Sequence, residues 1–515
     1  MTFLSLSIIA HVFLIVLYSG LLIIALNKKS KTGILFALSL IVLDSIWNVS
    51  VGGMENIDIV GKNLLAIGFM TTFFIWCKEY FVKFIVILSG IIGLSGIHQV
   101  EFQKFVDGKK SEENAQLLVQ FKTKADLEQW MITYEYPESI TYPAFEPADD
   151  SFLLDEYLML DYSGRDISGF MTLLESSNII DHVEINEAIT VTPLVSSPTI
   201  NASTQKSKLN DPYVSKQRMK GPYDLDNFHK ITDKYSSTNK KKPIIIAILD
   251  TGVDSKHEDL RANYLSTSSN SDYDKKGHGT HCAGIAAAVT GNRIGIASLV
   301  PKDADIKVTG IKVLGDMGVG TQKTIIRGII MAADRGYDII SMSLGSVSSD
   351  KKQKAYNEAI KYARSKGCIV VAAAGNSARD ATNYSPANSK GLIAVSAVDS
   401  LLRKANFAND ISNIEYGIYA PGTMVFSTFP GDEYKSFNGT SMATPLVAGL
   451  LAVMKSYKRN LTTEEAFEYI NKTAYKKQGI NILDPISTMT LFLSSINVDG
   501  IESHLEWSPS HWMYQ

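Results

Sequence analysis

The sequence predicts an α/β region on a mostly parallel central sheet, preceded by a small α/β domain and, before that, an N-terminal bundle of apolar helices. Three observations predict it. Pro243 to Leu249 and Ile369 to Ala374 are short, continuously apolar runs, as parallel strands buried on both faces require, and each leads into chemistry-bearing residues. Between residues 99 and 193, strand-like and helix-like patterns alternate. The first hundred residues contain four apolar runs near bilayer length. A chain of 515 residues has room for about three folding units.

The first region covers residues 1–98. Phe3 to Leu26 is a mostly apolar run long enough to cross a bilayer, followed by Lys28, Lys29 and Lys31. A cleaved leader fits poorly, because no basic residues precede the run. Further runs at Gly33 to Val49, Ile57 to Trp76 and Tyr80 to Ile97 each carry charge, and a re-entrant or buried helix is the alternative for each. Lys28, Lys29 and Lys31 lie between the first two runs, and Lys78 lies between the last two with Lys83 just beyond. The positive-inside rule puts those loops in the cytoplasm and both termini outside. The downstream domains are thus expected on the periplasmic or extracellular side of a multi-pass membrane protein.

From residue 99 to 193, strands are expected at Gln116–Phe121, Glu156–Tyr162 and Asp181–Val191, with helices at Lys124–Tyr134 and Ile167–Ser176. Residues 194–210 are rich in Ser, Thr and Asn and read as a linker. The catalytic region spans 211–492. A tail, 493–515, carries Trp507 and Trp512.

Within 211–492, Asp250 ends the first apolar strand, His278 sits between glycines before a small-residue helix, and Ser441 opens an apolar helix with Pro445 in its early part. A serine hydroxyl is a weak nucleophile, so an imidazole must take its proton and a carboxylate must hold the imidazole in the right tautomer. Singly, Asp250 could be a helix cap, His278 a core histidine and Ser441 a helix start; together they supply acid, base and nucleophile. A helix N-terminus at Ser441 also directs a positive dipole end at a developing oxyanion.

Four blocks occur in order: Asp250-Thr251-Gly252 with His257-Glu258-Asp259-Leu260, His278-Gly279-Thr280-His281-Cys282-Ala283-Gly284, Ala373-Ala374-Gly375-Asn376, and Gly439-Thr440-Ser441-Met442-Ala443. Over roughly Asp211 to Thr490 the chain resembles the subtilisin-like serine proteases, whose triad runs in this chain order. The resemblance implies a subtilisin-like three-layer fold and a serine endopeptidase with Asp250, His278 and Ser441 as triad. It also implies Asn376 as oxyanion donor beside the Ser441 N–H, and a substrate cleft lined by Gly318, Val319, Gly320, Ser343, Leu344, Gly345, Ala374 and Gly375. No cofactor is implied for the chemistry. Structural calcium is implied at Asp259 and Asn292, although Arg293 puts a cation where a neutral residue is common. Cys282 reads as a buried small hydrophobe close to the imidazole.

By the same resemblance, residues 99–193 look like the family's inhibitory propeptide, an intramolecular partner that covers the cleft until cut within the linker. The other expected partners are protein or peptide substrates and the bilayer. Nucleic acid is excluded as principal partner by a net charge of −3 and a pI near 6.3. Cys77, Cys282 and Cys368 are too widely spaced for a disulfide framework or a metal motif. The competing function is a membrane sensor or scaffold using the fold as a binding module. Such a module has no chemical need for all of Asp250, His278, Ser441 and Asn376.

Overall fold

The computed structural model describes residues 113–133, 140–141, 143–149, 152–164, 166–191, 194–195, 207–217, 223–233, 242–348 and 354–496. The chain divides into two compact units, Met1–Ser111 and Glu112–Gln515, and the described residues belong to the second. The four expected membrane spans, residues 196–206 of the expected linker, and the tail with Trp507 and Trp512 lie outside them. Among the described residues no helix is long and apolar enough to cross a membrane.

The N-terminal lobe contains β1 (Glu113–Phe121), α1 (Lys124–Thr133), β2 (Ile140–Thr141), β3 (Tyr157–Gly164), α2 (Ile167–Glu175) and β4 (Ile180–Ile185). Its sheet is antiparallel, in the order β2-β3-β1-β4. Alternate residues Leu117, Val119 and Phe121 of β1 pack with Leu158, Leu160 and Val183 and with Leu127 of α1, while Leu118 on the opposite face is buried in a cluster shared with the catalytic body. Asp166 caps α2 by accepting the Gly169 N–H at 3.0 Å.

The strand expected from Asp181 to Val191 is broken. It stops at Ile185, and a separate strand β5 (Ala188–Thr190) follows. Asn186 makes the break: its N–H still bonds the Gln116 carbonyl, but its side-chain oxygen accepts the Lys323 N–H at 2.8 Å from the catalytic body. The chain leaves one sheet in order to cap a helix elsewhere.

In the catalytic body, β6 (Leu194–Val195) is followed by α3 (Leu225–Thr232), β7 (Ile244–Asp250), α4 (His278–Ala287), β8 (Ile306–Lys312), β9 (Val319–Thr321), α5 (Gln322–Asp334), β10 (Ile339–Met342), β11 (Ser346–Val347) and α6 (Lys354–Ser365). Then come β12 (Ile369–Ala373), β13 (Tyr384–Ser385), β14 (Ile393–Val398), β15 (Gly417–Pro421), β16 (Val425–Phe429), β17 (Glu433–Asn438) and α7 (Thr440–Tyr457). The last elements are α8 (Thr463–Thr473), β18 (Tyr475–Lys477), β19 (Ile480–Ile482) and α9 (Pro485–Ser495). The central sheet has the order β18-β19-β15-β14-β12-β10-β7-β8, parallel except for β18 at one edge.

Both faces of this sheet are apolar, which is why its strands read as continuous runs. Ile244, Ile246 and Ile248 face the layer that holds α4 and α7, while Ile245, Ala247 and Leu249 face α5 and α6. The result is the expected α/β fold with three layers and a mostly parallel sheet. Strand β8 lies on one side of β7 and β10 on the other, so the chain reverses direction at β7. The crevice at the carboxyl ends of β7 and β10 is where such sheets bind ligands.

Candidate active site

Asp250 is the last residue of β7 and is fully buried. Its carboxylate accepts the Thr251 N–H at 2.8 Å and faces Nδ1 of His278 at 2.8 and 2.9 Å. His278 is the first residue of α4, so the helix starts at the imidazole itself. A second buried carboxylate, Asp274, joins the two supports. It accepts from Thr251 Oγ1, Gly277 N, Thr280 N and Thr280 Oγ1 at 2.7 to 2.9 Å, and Thr251 Oγ1 in turn accepts the Gly279 N–H. No local signature in the sequence marks Asp274 for this part.

Burial alone lowers the pKa of His278, but the Asp250 charge and hydrogen bond, with Cys282 nearby, outweigh it and raise the imidazole well above its ordinary value. The other histidine of the block behaves oppositely. His281 is stacked on Phe437 and bonded at Nε2 to the Lys435 carbonyl, and desolvation pushes its pKa down to about 3. It is a neutral core residue.

Ser441 lies in the first turn of α7, with Gly439 as N-cap. Four residues later comes Pro445, which has no N–H to return to the Ser441 carbonyl. That carbonyl is instead satisfied from outside the helix: the Ser343 hydroxyl donates to it at 2.8 Å and the Cys282 thiol at 3.5 Å. The Cys282 sulfur also sits 4.0 Å from His278 Nδ1, so serine backbone and imidazole converge on one buried side chain. Desolvation raises the pKa of this thiol, in keeping with a small core residue.

Proton transfer from Ser441 to His278 calls for a hydrogen bond between them, and the structure does not contain it. The Ser441 hydroxyl donates to the Ser343 carbonyl at 3.1 Å, and the buried Nε2 of His278 has no hydrogen-bond partner. A lone hydroxyl takes the strand-end carbonyl beside it; the acid–base link is formed and the base–nucleophile link is not.

Asn376 follows β12. Its side-chain oxygen is occupied by Thr440, accepting from both the N–H and the hydroxyl at 2.9 Å, which turns the amide nitrogen toward the start of α7. A Cβ added at Gly439 would lie 3.3 Å from Asn376 Nδ2 and 3.6 Å from the Ser441 nitrogen. The space between these two donors is therefore open only because residue 439 has no side chain. This residue also holds φ at +152°, which disfavours any other amino acid.

The expected substrate segments are occupied by the chain itself. β5 pairs antiparallel with β9, matching Ile189 with Gly320 and Thr190 with Val319; Val191 N–H bonds the Gly318 carbonyl at 3.1 Å, and Thr190 bridges Gly345. On the far side of Ser441, β6 pairs with β17, placing Leu194 opposite Asn438. Leu344 packs in the same apolar cluster as Ile189 and Val191, and Ser343 is bonded to Ser441 as described. Ala374 and Gly375 turn their backbone groups into the body of the fold. The Ala374 carbonyl accepts the Asn409 amide and its N–H goes to Val395, while Gly375 donates to Thr440 Oγ1 and accepts from the Asn409 N–H. Their backbone groups are used internally and do not pair with an extended chain.

At the expected metal position, Asp259 accepts from Asn292 Nδ2 and from Ile296 N, both at 2.8 Å, and Asn292 Oδ1 accepts from Ile294 N. Asn292 thus presents nitrogen, not oxygen, to Asp259. Asp211, unassigned in the sequence, accepts from Gly291 and Asn292 of the same loop. Desolvation drives the Asp259 pKa up to about 8, with Asp211 and Glu258 adding to the rise. Two buried carboxylates at one loop suit a hard cation, whereas the Asn292 oxygen is already engaged.

The subtilase family signature matches residues 241–486. The chain is 40% identical over 275 residues to thermitase of Thermoactinomyces vulgaris, covering 52% of this chain and 92% of that protein. It is 38% identical over 247 residues to subtilisin DY of Bacillus licheniformis, covering 47% of this chain and 85% of that one. A carboxylate-supported imidazole and a helix-start serine, on a parallel sheet with relatives of this similarity and coverage, identify the chain as a member of the subtilase family and a serine endopeptidase.

Proposed function

We propose that this endopeptidase is a membrane-anchored precursor that hydrolyses peptide bonds through Asp250, His278 and Ser441 and restrains itself with its N-terminal lobe until cut. The observation that carries the reading is the Asp250–His278 pair at 2.8 Å beside the Ser441 turn of α7. Rotation about the Ser441 Cα–Cβ bond breaks the hydroxyl's bond to Ser343 and frees it for the unpartnered Nε2. Nδ1–H donates to Asp250, so Nε2 is the proton acceptor during attack and the donor to the leaving amine. The tetrahedral oxyanion falls between Asn376 Nδ2 and the Ser441 N–H. A fluorophosphonate probe tests this, applied to both wild type and Ser441→Ala after cleavage by an unrelated protease at a site inserted at residues 196–206. Stoichiometric labelling of wild type and none of Ser441→Ala is expected; equal labelling of both would reject the assignment.

The pairing of β5 with β9 and of β6 with β17 supports the precursor reading, because it runs the chain along the cleft as an added strand. On this reading the cut falls between Val191 and Leu194, at the leading edge of the linker expected from the sequence. Wild-type protein should yield a fragment whose N-terminal residue is between 192 and 194, and Ser441→Ala should stay full length. A first residue beyond 195 would remove this register. The membrane anchor rests on the apolar runs before residue 98 and on the lysines between them. Cytoplasmic protection of a C-terminal tag would overturn the outside location of the catalytic body.

Calcium held by Asp259 and Asp211, with Asn292 turned to offer its oxygen, would supply the missing positive charge at that loop. The pH dependence has a definite sign. Because the folded-state pKa of Asp259 is raised to about 8, the metal-free fold prefers the protonated acid, and ionisation destabilises it progressively above the ordinary value near 3.8. Calcium should therefore raise Tm more at pH 8.5 than at pH 6, and chelation should lower it more at the higher pH. Asp259→Asn should abolish the difference in a thermal melt.

A further inference from the structure

Asn376 sits on a loop that is poorly protected. Residues 377 to 379 are exposed, and Ala378 adopts a left-handed conformation with φ of +53°. An oxyanion donor must be held to within a fraction of an ångström to be useful, so something buried has to fix this loop. Thr440 holds the Asn376 side-chain oxygen, but it does not hold the loop backbone beyond Gly375.

The Asn409 side chain does. It is fully buried, and it spends both ends of its amide on this loop: Oδ1 accepts the N–H groups of Ser377 and Arg379, each at 3.0 Å, and Nδ2 donates to the Ala374 carbonyl at 2.8 Å. Its own N–H bonds the Gly375 carbonyl at 3.0 Å. Residues immediately before and after Asn376 are thereby tied to one side chain. Asn409 is itself anchored to the central sheet, because Ser396 of β14 donates to its carbonyl at 2.6 Å. The approach is close enough to dictate a neighbour: a Cβ at Gly375 would lie 2.4 Å from Asn409 Nδ2, and φ there is +103°.

We infer that Asn409 is a positioning residue for oxyanion stabilisation, acting through Asn376 and not through substrate. The inference rests on the assignment of Asn376 made above. Losing the Asn409 side chain removes its bonds at Ala374, Ser377 and Arg379, on both sides of the donor, and leaves only the backbone bonds of Gly375, Ala378 and Arg379 to residues 407–410, so turnover should fall while ground-state binding of an extended peptide along β9 does not change. A misplacement on the order of 1 Å costs up to about 10²-fold.

The test is a double-mutant cycle on the full chain after processing, with each enzyme's active sites counted by fluorophosphonate titration and kcat and KM measured on a peptide anilide. Asn376→Ala alone should reduce kcat by roughly 10² to 10³, and Asn409→Ala alone by roughly 10- to 100-fold with KM unchanged. In the Asn376→Ala background, Asn409→Ala should change kcat by less than about twofold, because the donor it positions is gone. Equal losses in both backgrounds, or a loss confined to KM, would overturn the inference, since a merely structural residue behaves that way. If Asn409→Ala does not fold, Asn409→Ser takes its place in the cycle, and the same results support or overturn the inference. Wild-type kcat in Asn376→Ala would instead reject the assignment of Asn376 itself, which separates the two failures.

Discussion

Substituting alanine for Ser441 is expected to lower kcat by on the order of 10⁶, the loss seen when subtilisin itself is deprived of its serine. The reason lies in how the three groups depend on one another. Without the hydroxyl, no acyl-enzyme forms, and His278 Nε2, oriented by the Nδ1 bond to Asp250, has no serine proton to accept. Residual hydrolysis on the order of 10³ to 10⁴ over water should survive, because Asn376 Nδ2 and the helix-start N–H still receive an oxyanion. A rate constant is measurable only if the N-terminal lobe is removed independently of Ser441. An unrelated protease site inserted at residues 196–206 of both proteins provides that. A residual kcat within tenfold of wild type would mean that another nucleophile carries the reaction.

Asp250→Asn is expected to reduce kcat by about 10⁴ with little change in KM. An amide facing Nδ1 offers an N–H where an acceptor was, so the imidazole takes the tautomer with its proton on Nε2 and can no longer accept one from Ser441. The pH profile should move as well. In the wild type, Asp250 outweighs desolvation and raises His278 well above 6.5, so the neutral base accumulates only on the alkaline side and kcat/KM climbs with pH. Removing the charge leaves desolvation in command, and the acid limb should shift to lower pH. Stability runs the other way. The stabilisation gained from the paired imidazolium is fully present below about 6.5 and disappears as pH rises through the raised value. The Tm advantage of wild type over Asp250→Asn should therefore be larger at pH 6 than in alkali. An unshifted acid limb would show that Asp250 does not set the imidazole's charge.

Much of the scaffold was legible because its signals are local. Pro243 to Leu249 and Ile369 to Ala374 are short, β-branched apolar runs that fit strands covered on both faces, and the chemistry-bearing residues stand where those strands end. The helix at Ser441 was legible for the same reason, and Pro445 inside it could be seen without knowing that it frees the Ser441 carbonyl for Ser343. What could not be read depends on residues far apart in the chain. The break after Ile185 leaves only a faint mark in the sequence, a single Glu187 in the apolar phase of Val183, Ile185, Ile189 and Val191; it is made by Asn186 reaching 137 positions ahead to Lys323. Asn409 is one of several asparagines in a polar loop, and nothing local distinguishes it from Asn413. Nor does the sequence show that the backbone groups of Ala374 and Gly375 are taken by Val395, Asn409 and Thr440, which lie 21 to 65 positions further along the chain.

The strand that Ala188 to Thr190 adds alongside Val319 to Thr321 has a kinetic corollary. On the precursor reading proposed above, this segment would compete with substrate, for as long as the polypeptide is continuous, at a tethered local concentration on the order of millimolar, which few peptides could match. Severing the tether leaves the same contacts but makes their occupancy depend on dilution. Enzyme set free into a large volume would shed its lobe spontaneously, whereas enzyme crowded at a surface would stay quiet for longer, so the onset of proteolysis would report how far the protein has travelled from where it was made.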